Sequence, residues 1–87
     1  MAVVFIPPLL RRMTGGIEQV TVPGRSLRQV VNGLEEQFPG IKGRLIQDDD
    51  LMPGISAAVD GEVARLGLME PVQDTSEVHF LPAISGG

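Results

Sequence analysis

One stretch of this sequence repeats its apolar residues at sustained helical spacing, and the segments on either side carry the marks of β-hairpins. Leu27, Val30, Val31, Leu34 and Phe38 recur on one side, whereas Arg28, Asn32, Glu35 and Glu36 fall largely on the other. Ser26 is placed as an N-cap. Gln29, three residues on, completes a capping box in which each side chain satisfies an orphan backbone N–H. Pro39 pushes Phe38 out of the helical region and Gly40 offers a left-handed stop, so the spacing predicts a helix over Leu27–Gln37.

Residues 2–6 are apolar and rich in β-formers, and residues 17–22 alternate Ile17, Gln19 and Thr21 against Glu18, Val20 and Val22. Thr14-Gly15-Gly16 supplies turn chemistry between them, so these two segments read as a hairpin. Asp60-Gly61 between residues 55–59 and 62–64 marks a second hairpin, because both turn residues accept positive φ. The last strand, residues 76–81, turns Val78 and Phe80 to one face and His79 and Leu81 to the other. Residues 41–54 read as a surface connection with one helical turn near 42–46. Their acidic run Asp48, Asp49, Asp50 lacks the alternating ligands, glycine and distal glutamate of a calcium loop, and reads as a solvated loop. Residues 68–74, broken by Pro71, read as a loop or single turn. The order hairpin, helix, hairpin, strand predicts an α+β fold: a mixed sheet of about five strands with one main helix across one face.

The 87 residues suit a single domain spanning 1–87, and a chain this short buries roughly 60–65% of its unfolded surface, which leaves no room for a deep cleft. Phe5, Phe38 and Phe80 are its only aromatic residues apart from the single histidine, so the core must be aliphatic and no base-stacking platform is expected. Eleven acidic against seven basic side chains give a net charge of −4, which argues against nucleic acid or an anionic membrane as a partner. With no cysteine, the chain forms no disulfide, thiolate metal site, iron–sulfur cluster or persulfide, and neither a metal nor a cofactor is expected. The apolar N-terminal segment has no basic residue before it and is interrupted by Pro7 and Pro8, so it reads as a strand rather than a signal peptide. No apolar run approaches the ~20 residues of a membrane span. A cytoplasmic location is the expectation.

Two Gly-Gly pairs separate a structural use of glycine from a chemical one. Gly15-Gly16 lies between strands, where a turn explains it. Gly86-Gly87 precedes no strand, and residues 82–87 are expected to project from the sheet as a flexible tail. A terminal carboxylate is ionised at neutral pH, with an ordinary pKa of roughly 3.3–3.7, and is a poor electrophile until activated. Adenylation would convert it into a mixed anhydride open to attack by sulfide, a persulfide or a thiolate. Glycine suits a tail that threads a narrow channel, since it lacks a Cβ and takes φ values barred to other residues.

The element order, the lack of cysteine and the segment Val78-His79-Phe80-Leu81-Pro82-Ala83-Ile84-Ser85-Gly86-Gly87 together resemble the MoaD/ThiS sulfur carriers of the ubiquitin-like β-grasp fold. Within that family, Ile6-Pro7-Pro8-Leu9-Leu10-Arg11 and Thr14-Gly15-Gly16 look most like the carriers that serve cysteine biosynthesis. Thr75-Ser76 after Asp74 departs from the Gly-Asp pair of many relatives. The resemblance implies that an E1-like ATP-dependent enzyme adenylates Gly87. It also implies that a sulfur donor enzyme converts the adenylate to a thiocarboxylate, and that a downstream enzyme accepts the sulfur. Ile84, Ser85 and Gly86 would thread the partner's active site, and the carrier itself would catalyse nothing. The acceptor in the family is of the cysteine, molybdopterin or thiamine type, and relatives also form isopeptide bonds to lysines.

With Val78 and Phe80 against the helix, Val3, Phe5, His79 and Leu81 are expected on the opposite face, with Phe5 and Leu81 exposed. Singly such residues are ordinary surface, but together they form a patch able to dock on an activating enzyme. No motif places a nucleophile beside His79, so it reads as a surface strand residue and not a general base. Three functions remain open at this point. They are a sulfur carrier, a protein modifier joined through Gly87 to lysines, and a non-catalytic binding subunit whose tail is incidental.

Overall fold

In the computed structural model, which describes residues 1–82, helix α1 spans Leu27–Gln37, as its capping and stop signals predict. The Ser26 hydroxyl accepts from the Gln29 N–H at 3.3 Å, while Gln29 Oε1 reaches back to the Arg25 N–H at 2.8 Å. The return arm of the capping box thus serves the residue before the cap. Incoming chain at this point is tied to residues 70–72, through Leu27 N–H to Glu70 C=O and Val72 N–H to Arg25 C=O. Leu27, Val30, Val31 and Leu34 have no exposed surface. Glu35, expected on the solvated side, ends the helix: its carboxylate accepts from the N–H groups of Gly40 and Lys42, both at 2.9 Å. These two bonds, Gly40's first, hold its pKa below the ordinary carboxylate range.

The strands are β1 (Ala2–Phe5), β2 (Gln19–Val22), β3 (Ile46–Gln47), β4 (Asp50–Leu51), β5 (Ile55–Val59), β6 (Glu62–Val63) and β7 (Glu77–Pro82). Five of them form one mixed sheet in the order β2-β1-β7-β5-β6, with β1 and β7 parallel and the other pairs antiparallel. The expected α+β architecture is therefore present, and the last strand in sequence lies at the centre of the sheet. Period-two alternation sends Ala2, Val4, Val22, Ala57, Val78 and Phe80 into the core beneath α1.

The connections depart from expectation where long-range contacts decide them. Between β1 and β2 the chain forms a 3-10 helix, Pro8–Thr14, that buries Leu10 and Thr14. Gly15 and Gly16 then reverse the chain at φ 67° and 88°. The surface connection expected over 41–54 contains a short helix α2 (Lys42–Leu45) and a separate two-stranded hairpin, β3–β4. Asp48 and Asp49 are its turn residues, at φ 53° and 62°, and the Asp49 carboxylate pairs with the Arg28 guanidinium on α1. The acidic run is exposed, as expected, and forms a turn whose Asp49 pairs with the helix. Asp60-Gly61 forms the tight turn its chemistry predicts, at φ 53° and 83°. Within 68–74, Leu68 and Val72 are buried, and a 3-10 turn covers Gly67–Met69. Residue 82, expected to begin the tail, instead completes β7 opposite Ile55; residues 83–87 lie outside those described.

Candidate functional site

Strand β7 carries the chain towards Gly87, and both of its neighbours hold it. It pairs with β1 from Glu77 to His79 and with β5 from Val78 to Pro82. Its first residues are clamped by the Asp60 turn. Asp60 Oδ2 accepts from the Ser76 hydroxyl at 2.7 Å and Oδ1 from the Glu77 N–H at 2.9 Å, while Ser76 Oγ accepts from the Gln73 N–H at 2.9 Å. The Ser76 bond first, then the Glu77 bond, keeps the Asp60 carboxyl below its ordinary pKa. The strand is held at one end by this clamp and at the sides by two ladders, and its last described pairing is with Ile55. Sequence reasoning finds the Asp60-Gly61 turn but not the clamp, which joins residues on separate elements.

On the face away from α1, the structure brings together the four residues expected there. Parallel pairing sets Phe5 beside His79 and Val3 beside Glu77. The Phe5 and His79 rings stack with centroids 4.2 Å apart and planes 4° from parallel. Phe5, expected to be exposed, is therefore half-buried, as are Val3 and His79. Leu81 stands out with 44% of its surface exposed. On β5, the small residues Ser56 and Ala58 lie opposite Leu81 and His79, so nothing taller on that strand covers them. The result is a low apolar ridge with one imidazole stacked into it. Among the described residues no hydrogen-bonded nucleophile accompanies His79, and no group of three or more metal-binding side chains comes together. No described helix is long and apolar enough to cross a membrane.

A second feature, not anticipated from sequence, lies where β7 ends. An apolar groove of about 320 Å³ is lined by Pro7, Pro8, Leu9, Ile55, Phe80 and Leu81. Leu9 is 86% exposed, the most of any large apolar side chain among the described residues. The Pro7-Pro8 pair that opens the 3-10 helix was the available signal, since it turns the chain away from the sheet and leaves Leu9 in its first turn, pointing outward. Ile84, Ser85, Gly86 and Gly87 fall outside the described residues.

Residues 3–87 match the sequence model of the ThiS family. The chain belongs to the ThiS family. Its match to that family runs through the terminal diglycine. It is 36% identical to the sulfur carrier protein CysO of Mycobacterium tuberculosis, covering 97% of this chain and 96% of that one. A CysO chain in the crystal structure of the Amycolatopsis orientalis BexX/CysO complex superposes with a TM-score of 0.92 at 34% identity, over the whole of both chains. Small archaeal modifier protein 3 of Haloferax volcanii is 33% identical over 67% of this chain and 65% of its own length. The fold is the ubiquitin-like β-grasp. In sequence and in structure, this ThiS-family member is of the sulfur-carrier type that CysO represents.

Proposed function

We propose that the protein carries sulfur on the carboxylate of Gly87. The observation that carries this reading is the full-length likeness to the CysO sulfur carriers within a family match that includes Gly86-Gly87. The chemistry agrees, because a chain without cysteine has no thiol on which sulfur could ride. In the proposed sequence the Gly87 carboxylate attacks the α-phosphorus of ATP on an E1-like adenylating enzyme, and pyrophosphate leaves. Sulfide delivered by a sulfur donor enzyme then attacks the acyl carbon. AMP departs with the bonding electron pair, and the product loses a proton to become the thiocarboxylate. A downstream enzyme accepts the sulfur. The likeness to CysO supports a cysteine-type acceptor over the molybdopterin or thiamine types.

The protein's own part is delivery, not catalysis. Val3, Phe5, His79 and Leu81 present an apolar face for docking, and Ile84, Ser85 and Gly86 thread the partner's channel. Incubation with the adenylating enzyme and ATP should release pyrophosphate in an amount that depends on Gly86 and Gly87. Release that persists when both are deleted would exclude the reading. The similarity to small archaeal modifier protein 3 favours, as a second reading, conjugation of Gly87 to lysines. That reading requires higher-mass conjugates on denaturing gels. Both readings place the protein in a cytoplasm supplied with ATP.

A further inference from the structure

Two peptide bonds in this chain join an Asn or Asp to glycine, Asn32-Gly33 and Asp60-Gly61. In such a pair the glycine nitrogen can attack the side-chain carbonyl carbon of the residue before it and close a five-membered ring, and glycine has no Cβ to hinder the approach. The fold treats the two bonds differently. Asn32 and Gly33 lie inside α1, where ring closure would break helical backbone, and Asn32 Oδ1 accepts from Lys42 Nζ at 2.7 Å. Only unfolding of the helix frees that site. Asp60 and Gly61 are exposed in a tight turn at φ 53° and 83°, and the Gly61 N–H has no hydrogen-bond partner among the described residues. What restrains this second bond is the Asp60 side chain, whose two oxygens are held by the Ser76 hydroxyl at 2.7 Å and the Glu77 N–H at 2.9 Å.

We infer that Asp60-Gly61 is a site of self-modification in the folded chain, and that the Ser76 and Glu77 donors set its rate by holding the Asp60 carboxylate off the Gly61 nitrogen. In the reaction Gly61 N attacks Asp60 Cγ, the amide proton leaves with the carboxyl OH as water, and a succinimide forms. Water then adds to the main-chain carbonyl carbon of Asp60 and breaks its bond to Gly61 N. The chain now runs through Cβ and Cγ, with no net change in mass. Ring closure draws on the neutral carboxyl, and the Ser76 bond first, then the Glu77 bond, lowers the Asp60 pKa and keeps that form scarce near neutral pH. Position matters as well, since about 1 Å of displacement from attack geometry can slow a reaction roughly a hundredfold. The product bears on β7. An isoaspartyl residue lengthens the β5–β6 turn by a methylene and leaves its free carboxylate directly on Cα, one bond shorter than the arm that reaches Ser76 and Glu77. Isomerised chains thus lose the hold on the start of the strand that leads to Gly87.

Prolonged incubation of the full chain and of its Ser76→Ala variant at mildly acidic pH tests this. Isoaspartate is located by electron-transfer fragmentation, and deamidation of Asn32 is followed in the same samples by the mass gain of an amide becoming an acid. Ser76→Ala is expected to raise isoaspartate at position 60 about tenfold while Asn32 stays intact. Because Asn32 reacts only when α1 opens, that pair of results assigns the effect to the clamp and not to lower stability. In denaturant both sites of the natural chain are expected to react, Asp60 faster than in the native fold. Equal rates at Asp60 in the natural protein and Ser76→Ala overturn the inference, as does a rise at Asp60 matched by deamidation of Asn32. So does a native rate at Asp60 equal to that of the unfolded chain, since the clamp would then restrain nothing.

Discussion

Gly33 sits in the interior of α1, where glycine costs about 1 kcal/mol relative to alanine. The sheet explains its presence. A Cβ built there would lie 2.3 Å from Val22 Cγ1, and Val22 is fully buried on β2. Gly33→Ala therefore overpacks the contact at a cost of about 1–3 kcal/mol, which the gain in helix propensity only partly offsets. Thermal unfolding should show a lower Tm, partly restored by adding Val22→Ala; a rise in Tm for the single variant would contradict the packing. A glycine inside a helical repeat is visible in the sequence, but its reason is not, because Val22 becomes its neighbour only in the fold. Asp60 gives a second test at this scale. Its folded-state pKa is lowered, so its contribution is present above the unfolded value of about 3.9 and is lost as pH falls through the folded value. Stability measured by denaturant titration should thus fall on acidification below about pH 4, and Asp60→Asn should make that fall shallower. Identical slopes in the two proteins would show the clamp to be idle.

Helix α1 was legible to the residue because its limits are set by local chemistry: a serine cap, its glutamine partner, and a proline and glycine beyond the end. Ser26→Ala removes the bond to the Gln29 N–H and should cost about 1 kcal/mol, or roughly 4–8 °C in Tm for a domain of this size. No change in Tm would mean that the pairing of residues 70–72 with the incoming chain does the capping alone. The β3–β4 hairpin was not legible for the opposite reason. Its turn uses Asp48 and Asp49 at positive φ without a glycine, and the ion pair from Asp49 to Arg28 on α1 holds it. The 3-10 helix after Pro7-Pro8 has no local sequence signal, because Leu10 and Thr14 have their burial partners on other elements. Where a turn carried its own positive-φ chemistry, as at Asp60-Gly61, sequence and structure agree.

At the scale of the whole molecule, parallel pairing of β1 with β7 puts the strand that leads to Gly87 in the middle of the sheet, flanked on both sides. The same pairing assembles Phe5, His79 and Val3 on the outer face with Leu81 at its end. That grouping was legible, because period-two alternation fixes which residues share a face. The half-burial of Phe5 was not, because it depends on the His79 ring stacking in register. Leu81→Asp should leave stability within about 0.5 kcal/mol, since the side chain is exposed, yet slow activation by the adenylating enzyme roughly tenfold or more. Met69→Asp, exposed on the 3-10 turn that packs against α1, should leave activation unchanged; equal effects of the two would remove the outer face from the account. Whether the Gly87 carboxylate carries sulfur is read from the mass of the intact protein co-produced with its adenylating enzyme and sulfur donor. The expected spectrum holds a species heavier by about 16 Da, sulfur replacing one oxygen, that is absent when Gly87 is deleted. A mass that stays unchanged with both partners active would contradict sulfur carriage at Gly87.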